Sequence, residues 1–312
     1  MKVLFAGTPL FALPSLDAIA RSDRHRLVGV LTQPDRPRAR GRKVRPSPVK
    51  ERAIELGLPV FQREKPSSAE SVEELRPLAP DVAAVVAFGR ILKKRFLDLP
   101  PAGCVNVHAS LLPAYRGASP IERVVLSGED ETGVTTMMID EGLDTGDILL
   151  QERTRVAEEE TAGELAERLA AMGAALLVRT LDRIEQGDCP RTPQDDSRAT
   201  YAPPVEKEEA RIDWKAGRDA IVRLVRAMNP KPVAFTETSH GRMRVYRAVQ
   251  WTGTGDPGTV LAADPKEGLV VAAGDGALRL EWVQLPGRSP MEDKALVSGT
   301  TFLPGDPLAE GR

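Results

Sequence analysis

The run Asp81-Val82-Ala83-Ala84-Val85-Val86-Ala87-Phe88 constrains this chain more than any other stretch. It is apolar after its first residue and has the length of a strand. It shows none of the polar alternation of a strand with one wet face. Such runs are buried on both sides, at the centre of a parallel sheet with helical crossovers. The neighbouring pattern agrees. Residues 2–6 are a short apolar run, Gly7-Thr8-Pro9 turns the chain, and Leu13, Leu16 and Ile19 follow at helical spacing. Residues 27–31 read as a second buried strand, 49–56 as a helix, 59–61 as a short strand and 69–78 as an amphipathic helix stopped by Pro80. Strand, turn and helix in alternation predict an α/β fold, a doubly wound, mostly parallel, Rossmann-like sheet.

The first turn carries Gly7 alone, with no G-x-G-x-x-G after it, so a nicotinamide or flavin cofactor is not expected there. At 312 residues the chain is long for one domain, and two are expected. Its two cysteines, Cys104 and Cys189, lie far apart and in no metal spacing, which fits a reducing, cytoplasmic setting and no disulfide framework. No apolar run is long enough to span a membrane. The net charge of −2 excludes a uniformly basic nucleic-acid binder but leaves room for a local basic patch. One is present. Between positions 36 and 52 stand Arg36, Arg38, Arg40, Arg42, Lys43, Arg45, Lys50 and Arg52 against the single acid Glu51. Pro34, Pro37, Gly41, Pro46 and Pro48 make the stretch a loop. A solvated loop is the plain reading; a polyanion neutralised through counterion release is the functional one.

The strand at 104–108 alternates, with Asn106 and His108 on one face. It ends in the turn Ser110-Leu111-Leu112-Pro113, and a helix is expected over 119–127. Alone, an Asn-x-His pair is most simply a strand-end cap. Residues 132–139 alternate as a strand, Asp140-Glu141-Gly142-Leu143-Asp144-Thr145-Gly146-Asp147 is an acidic turn without calcium-loop spacing, and 148–151 return as a strand. Thr161 and Glu164 form a capping box for a helix running to about Gly187. Proline and polar residues over 189–208 read as a linker. The divisions expected are therefore a catalytic domain over 1–188, the linker, and a second domain over 209–312. A helix over 218–228 carries Arg218, Arg223 and Arg226. After it, short β-rich segments at 233–237, 242–251, 258–262, 269–272 and 277–285 read as a small, OB-like β-barrel. Arg242 and Arg244 would share a face.

No convincing nucleophile is present. Ser110 has no G-x-S-x-G elbow and Cys104 no activating neighbour. One His and one Asp make no metal site. An amide, an imidazole and a carboxylate remain, in Asn106, His108 and Asp144, a set suited to direct transfer of an acyl group. The amide and a protonated imidazole would hold the oxyanion, and the carboxylate would orient the imidazole or relay protons through water.

Asn106-x-His108-x-Ser110-Leu111-Leu112-Pro113, together with Gly142-Leu143-Asp144-Thr145-Gly146, resembles the formyltransferases that use 10-formyltetrahydrofolate. Phe5-Ala6-Gly7-Thr8-Pro9, Thr32-Gln33-Pro34-Asp35-Arg36-Pro37, Pro46-Ser47-Pro48-Val49-Lys50 and Arg116-Gly117-Ala118-Ser119-Pro120-Ile121 extend the resemblance. So do Tyr201-Ala202 and Ala210-Arg211-Ile212-Asp213-Trp214, which carry it into the second domain. The resemblance implies that Asn106, His108 and Asp144 are catalytic. It implies that 10-formyltetrahydrofolate, with no metal, lies against Phe88, Gly89, Arg90, Ile91, Leu92, Ser110, Leu111, Leu112, Pro113, Gly142, Leu143 and Asp147. The acceptor would be the amine of methionine carried by initiator tRNA, bound by its acceptor arm to a monomeric enzyme. Arg36, Arg40, Arg42, Lys43 and Arg45 of the basic loop, with Arg223, Arg242 and Arg244 of the second domain, would contact that tRNA.

The catalytic motif does not separate this acceptor from an amino sugar or a nucleotide amine; the basic loop and the second domain favour tRNA. A non-catalytic RNA-binding protein on the same scaffold has no need of the Asn-His-Asp set. A dinucleotide oxidoreductase is disfavoured by the missing glycine fingerprint.

Overall fold

In the computed structural model, which describes residues 1–37 and 44–308, the apolar run forms the strand Val82–Val86, every residue of it buried. It lies between Lys2–Gly7 and Cys104–His108 and is parallel to both. Arg26–Thr32 and Val60–Gln62 continue the parallel sheet on one side. On the other, Glu131–Met138 and Ile148–Arg155 complete seven strands, the former antiparallel to both of its neighbours.

Alternation sorts the central strands into two cores. Val3, Phe5, Val82, Ala84, Val105 and Val107 face one cluster, which also holds Leu16 and Leu177. Leu4, Ala6, Ala83, Val85 and Cys104 face the other, with Phe88, Leu92 and Phe96. Each fully buried Val, Leu or Phe contributes about 1.5–3 kcal/mol, which explains why these strands lack polar residues on either face. Asn106 and His108 continue the Cys104 face, where the second core gives way to polar groups.

The helix Ala162–Gln186 starts at the expected capping box. The Thr161 N–H donates to the Glu164 carboxylate at 2.9 Å, and the Glu164 N–H donates to Thr161 Oγ1 at 3.3 Å. The Thr161 N–H and the Thr161 hydroxyl, which donates to the same carboxylate at 2.7 Å, hold the Glu164 carboxyl below its ordinary range. Gly187, at φ 75°, ends the helix.

The chain divides into two compact units, and the boundary differs from the one expected. The first comprises Met1–Pro120, Glu131–Arg155 and Ala166–Pro203; the second comprises Ile121–Asp130, Val156–Leu165 and Pro204–Arg312. Most of the stretch read as a linker belongs to the first unit. Tyr201–Ala202 pairs in parallel with Arg116–Gly117, and Thr192 bridges to Ile148. Proline removes helix and sheet propensity from this stretch, yet leaves its carbonyls and side chains free to bond.

The second unit is an antiparallel sheet in the order Ala234–Thr238, Gly241–Trp251, Gly276–Gln284, Gly268–Ala273 and Val260–Asp264, with Met291–Glu292 beside Gly276–Gln284. Among the described residues the ladders run from Ala234–Thr238 at one end to Val260–Asp264 at the other. Its core gathers Trp214, Ile221, Val225, Val245, Leu278 and Leu280, and Trp214 Nε1 donates to Thr236 Oγ1 at 3.0 Å. The helix Asp293–Gly299 is an addition that β-rich patterning did not announce.

Candidate active site

His108 is 6% exposed and touches two groups. Its Nε2 lies 2.9 Å from the Tyr115 carbonyl. A carbonyl only accepts, so Nε2 carries the hydrogen and Nδ1 is the nitrogen left for chemistry. Nδ1 faces Asp144 Oδ2 at 3.6 Å, too long for a hydrogen bond.

Asp144 does not arrive from the end of the sheet where His108 sits. Met138 pairs with Val105 and Thr135 with His108, so the antiparallel strand leaves at the Cys104 end, and Ile139 N–H donates to the Cys104 carbonyl. The following loop must turn back along the strand to reach the imidazole. Asp140 starts the return by accepting from Gly142 N–H and Thr145 Oγ1. Asp144 sits in the left-handed region at φ 55°. At Gly146 any Cβ would come within 2.0 Å of the Met138 carbonyl oxygen, so only glycine fits. The Gly117 N–H then donates to Asp144 Oδ2 at 2.8 Å.

Both residues that touch His108 carry left-handed backbone, Tyr115 at φ 60° and Asp144 at φ 55°. Each such position costs about 1–3 kcal/mol, and clustering of that strain marks a working site. Asn106, on the same strand face, is half-buried, and among the described residues its side-chain amide makes no hydrogen bond. An amide and an imidazole are therefore presented on one strand face, and the loop brings a carboxylate to the imidazole. Cys104 takes no part: burial pushes its thiol up to about 12.

The residues expected to meet a folate separate into two groups. Phe88 and Leu92 are buried in the core, and the Phe88 carbonyl accepts from Thr8 Oγ1 and Gln33 Nε2. Ser110 is fully buried with its hydroxyl on the Ala114 carbonyl at 2.6 Å, and Leu112 is buried beside it. These four shape the walls from behind. Gly89, Ile91, Gly142 and Leu143 are exposed, while Arg90, Leu111, Pro113 and Asp147 are half-buried. Ile91 and Leu143 are 81% and 61% exposed, large apolar side chains left open to solvent among the described residues.

Of the basic loop, Arg40, Arg42 and Lys43 lie outside the described residues. Arg36–Pro37 pairs with Val44–Arg45, and Arg45 is exposed. Arg242 and Arg244 do share the exposed face of their strand. Arg242 is bonded to Glu237 at 2.8 Å and lies 4.1 Å over the Phe235 ring, whereas Arg244 makes one long contact with Gln284 at 3.4 Å. Arg223 borders a cleft of about 1790 Å³ whose lining holds twice as many acidic as basic side chains, among them Glu158, Glu159 and Glu160. Those surroundings oppose a phosphate.

Sequence reasoning missed Gln194. Its Nε2 donates to the carbonyls of Asp144 at 2.8 Å and Gly146 at 2.7 Å, and its Oε1 accepts from the buried Arg116. Linker-like composition hid it.

Known proteins resemble this chain in sequence and in fold. Residues 1–181 match the formyl transferase family and residues 204–301 its C-terminal domain. The methionyl-tRNA formyltransferase of Moorella thermoacetica is 48% identical over 99% of each chain, and that of Symbiobacterium thermophilum is 46% identical over 96% of this chain and 92% of the other. Among solved structures, HypX from Aquifex aeolicus in complex with tetrahydrofolic acid has a TM-score of 0.67 at 18% identity, covering 96% of this chain and 47% of that one. The N-formyltransferase from Helicobacter canadensis, solved with folinic acid and dTDP-3-aminofucose, has a TM-score of 0.66 at 20% identity, covering 89% and 98%. The chain belongs to the formyltransferase family.

Proposed function

We propose that this protein transfers the formyl group of 10-formyltetrahydrofolate to the amine of methionine on initiator tRNA. One observation carries the reading: relatives 42–48% identical over nearly the whole chain, second unit included, are methionyl-tRNA formyltransferases. The likeness to sugar formyltransferases stands at 16–20% identity and speaks for the fold alone.

A folate fits the residues present. Ile91 and Leu143 offer uncovered apolar surface, and the Arg90 Nε–H is buried without a partner among the described residues. A pterin supplies both an aromatic face and acceptor atoms.

The chemistry follows from the side chains. The neutral α-amine attacks the formyl carbon on N10, and the carbonyl oxygen becomes an oxyanion. The unbonded Asn106 amide donates to it. His108, with Nε2–H committed to the Tyr115 carbonyl, donates through Nδ1–H when cationic, with the Asp144 carboxylate facing that nitrogen. The nitrogen–carbon bond to the amine forms, the bond to N10 breaks, and one proton passes from amine to N10. Asp144 relays it through water. Left-handed backbone at Tyr115 and Asp144 fixes these groups before substrate arrives, so reorganisation costs little during reaction.

The test supplies the purified protein with 10-formyltetrahydrofolate and, separately, methionyl-initiator tRNA, methionyl-elongator tRNA and a nucleotide-linked amino sugar. Formyl-methionine appearing with the initiator alone is expected. Product from the amino sugar but not the tRNA would assign the other acceptor class, and no product from any would return the chain to RNA binding.

A further inference from the structure

We infer that Gln194 is a positioning residue that holds Asp144 against the Gly117 amide; its catalytic consequence rests on the formyl-transfer reading. The orientation of the Gln194 side chain is unambiguous. Arg116 is 2% exposed and can only donate, and its Nε and Nη2 lie 3.0 and 2.8 Å from Gln194 Oε1. The oxygen must face Arg116, so both Nε2 hydrogens face the other way. There they meet two carbonyls, of Asp144 at 2.8 Å and Gly146 at 2.7 Å. The residue between these carbonyls and the strained φ of Asp144 leave the loop few other ways to stay closed.

The same segment holds the opposite side of the site. Thr200 Oγ1 accepts from the Tyr115 N–H at 2.8 Å, the Thr200 carbonyl accepts from the Arg116 N–H at 2.8 Å, and Ala202 O accepts from Ala118 N–H. At Gly117 any Cβ would stand 2.7 Å from Ala202 O, so the two chains are pressed together there. The segment 194–202 therefore fixes the Tyr115 carbonyl that orients His108 and the Gly117 N–H that orients Asp144, while Gln194 fixes Asp144 from behind. Among the described residues the Asp144 carboxylate accepts from the Gly117 N–H and from no side-chain donor, so removing the brace releases it.

Two variants separate chemistry from bulk. Gln194→Ala removes the brace. Gln194→Glu keeps its size and its partner for Arg116 but turns an oxygen toward the two carbonyls. Hydrogen exchange at the Gly117 amide, whose acceptor is Asp144 Oδ2, reads the bracket directly. It should quicken about tenfold or more in both variants while amides of Val82–Val86 keep wild-type protection. With 10-formyltetrahydrofolate and methionyl-initiator tRNA, kcat should fall about 10–100-fold with the tRNA KM within about twofold. In an Asp144→Asn background neither substitution should cost more than about twofold further, because their effect runs through Asp144. Wild-type exchange at Gly117 in Gln194→Glu, or an equal loss with and without Asp144, would overturn the inference. A wild-type protein that protects Gly117 in a Gln194-dependent way yet formylates no tRNA would uphold the brace and sink the acceptor assignment.

Discussion

Asp144 and Asp293 are both shielded aspartates, one in each unit, and the chain satisfies them in opposite ways. Asp293 is fully buried and accepts four hydrogen bonds: from the backbone of Leu269 at 3.0 Å and Lys294 at 2.8 Å, and from Arg279 Nε and Nη2 at 2.8 and 3.0 Å. Burial alone would raise its carboxyl; the Arg279 and backbone donors outweigh that and hold it below the ordinary range. Asp144 is half-buried and, among the described residues, accepts one backbone N–H, and the His108 imidazole stands off at 3.6 Å. A carboxylate whose acceptor sites are filled has nothing left to offer a substrate. One kept in place by a single amide and by hydrogen bonds to its own backbone retains a free oxygen for a proton.

The largest effect should therefore appear where satisfaction is complete. Asp293→Ala leaves the half-buried Arg279 guanidinium with only the longer Glu281 contact, at 3.9 Å, and breaking such a pair costs about 3–5 kcal/mol. Urea unfolding should show that loss, while formylation per folded molecule stays at the wild-type value. Because the folded carboxyl titrates below its unfolded value, this stabilisation is present above about pH 4 and is lost as pH falls through the folded pKa. A variant as stable as wild type would erase the contrast between the two aspartates.

The mirror experiment is Asn106→Ala. Its amide bonds to nothing in the described chain, so the unfolding midpoint should barely move. Removing one oxyanion donor should lower kcat by about 10²–10³, or about 2.7–4 kcal/mol. Asp144→Asn should act in the same direction, also with little change in stability. Large destabilisation with near-normal turnover would make both residues structural.

Apolar pattern made the first unit legible. Residues 27–31 and 81–88 emerge as Arg26–Thr32 and Val82–Val86 because strands buried on both faces tolerate almost nothing but Val, Ala, Leu and Gly. The Thr161–Glu164 box marked its helix start because capping is local. Asn106, His108 and Asp144 could be named because the set is chemically unusual and its motifs resemble a family. What pattern could not carry was long-range bonding. The antiparallel turn-back of the Asp144 loop depends on register between strands, and Gln194 reaches a loop 50 residues away in sequence. Helices and strands announce themselves by period; a strap of prolines and polar residues has none.

The basic surface of the second unit repeats the contrast on a smaller scale. Arg242 is engaged by Glu237 and the Phe235 ring, whereas Arg244 is held only loosely by Gln284. If charge left unspent is what serves the ligand, Arg244→Ala should weaken tRNA binding by about 1 kcal/mol and lower the salt slope of log K by about 1. Arg242→Ala should change both less. Titrations of tRNA at several salt concentrations make the comparison, and equal losses at the two positions would break it.

The smallest expected effect concerns a group that, like Asp293, belongs to structure alone. His25 is 4% exposed, with Nε2 3.2 Å from Asp182 Oδ1, and burial lowers its pKa despite that carboxylate. The folded protein thus holds this imidazole neutral where the unfolded chain, near 6.5, has begun to bind a proton. Between the two values the unfolded state carries more protons, so stability falls as pH falls. The contribution is complete above about pH 6.5 and is withdrawn as pH drops toward the folded value. Urea midpoints of wild type and His25→Gln, taken from about pH 7.5 down to about pH 5, should converge as pH decreases. Curves that stay parallel would mean that His25 titrates alike in both states and that its burial costs the imidazolium nothing.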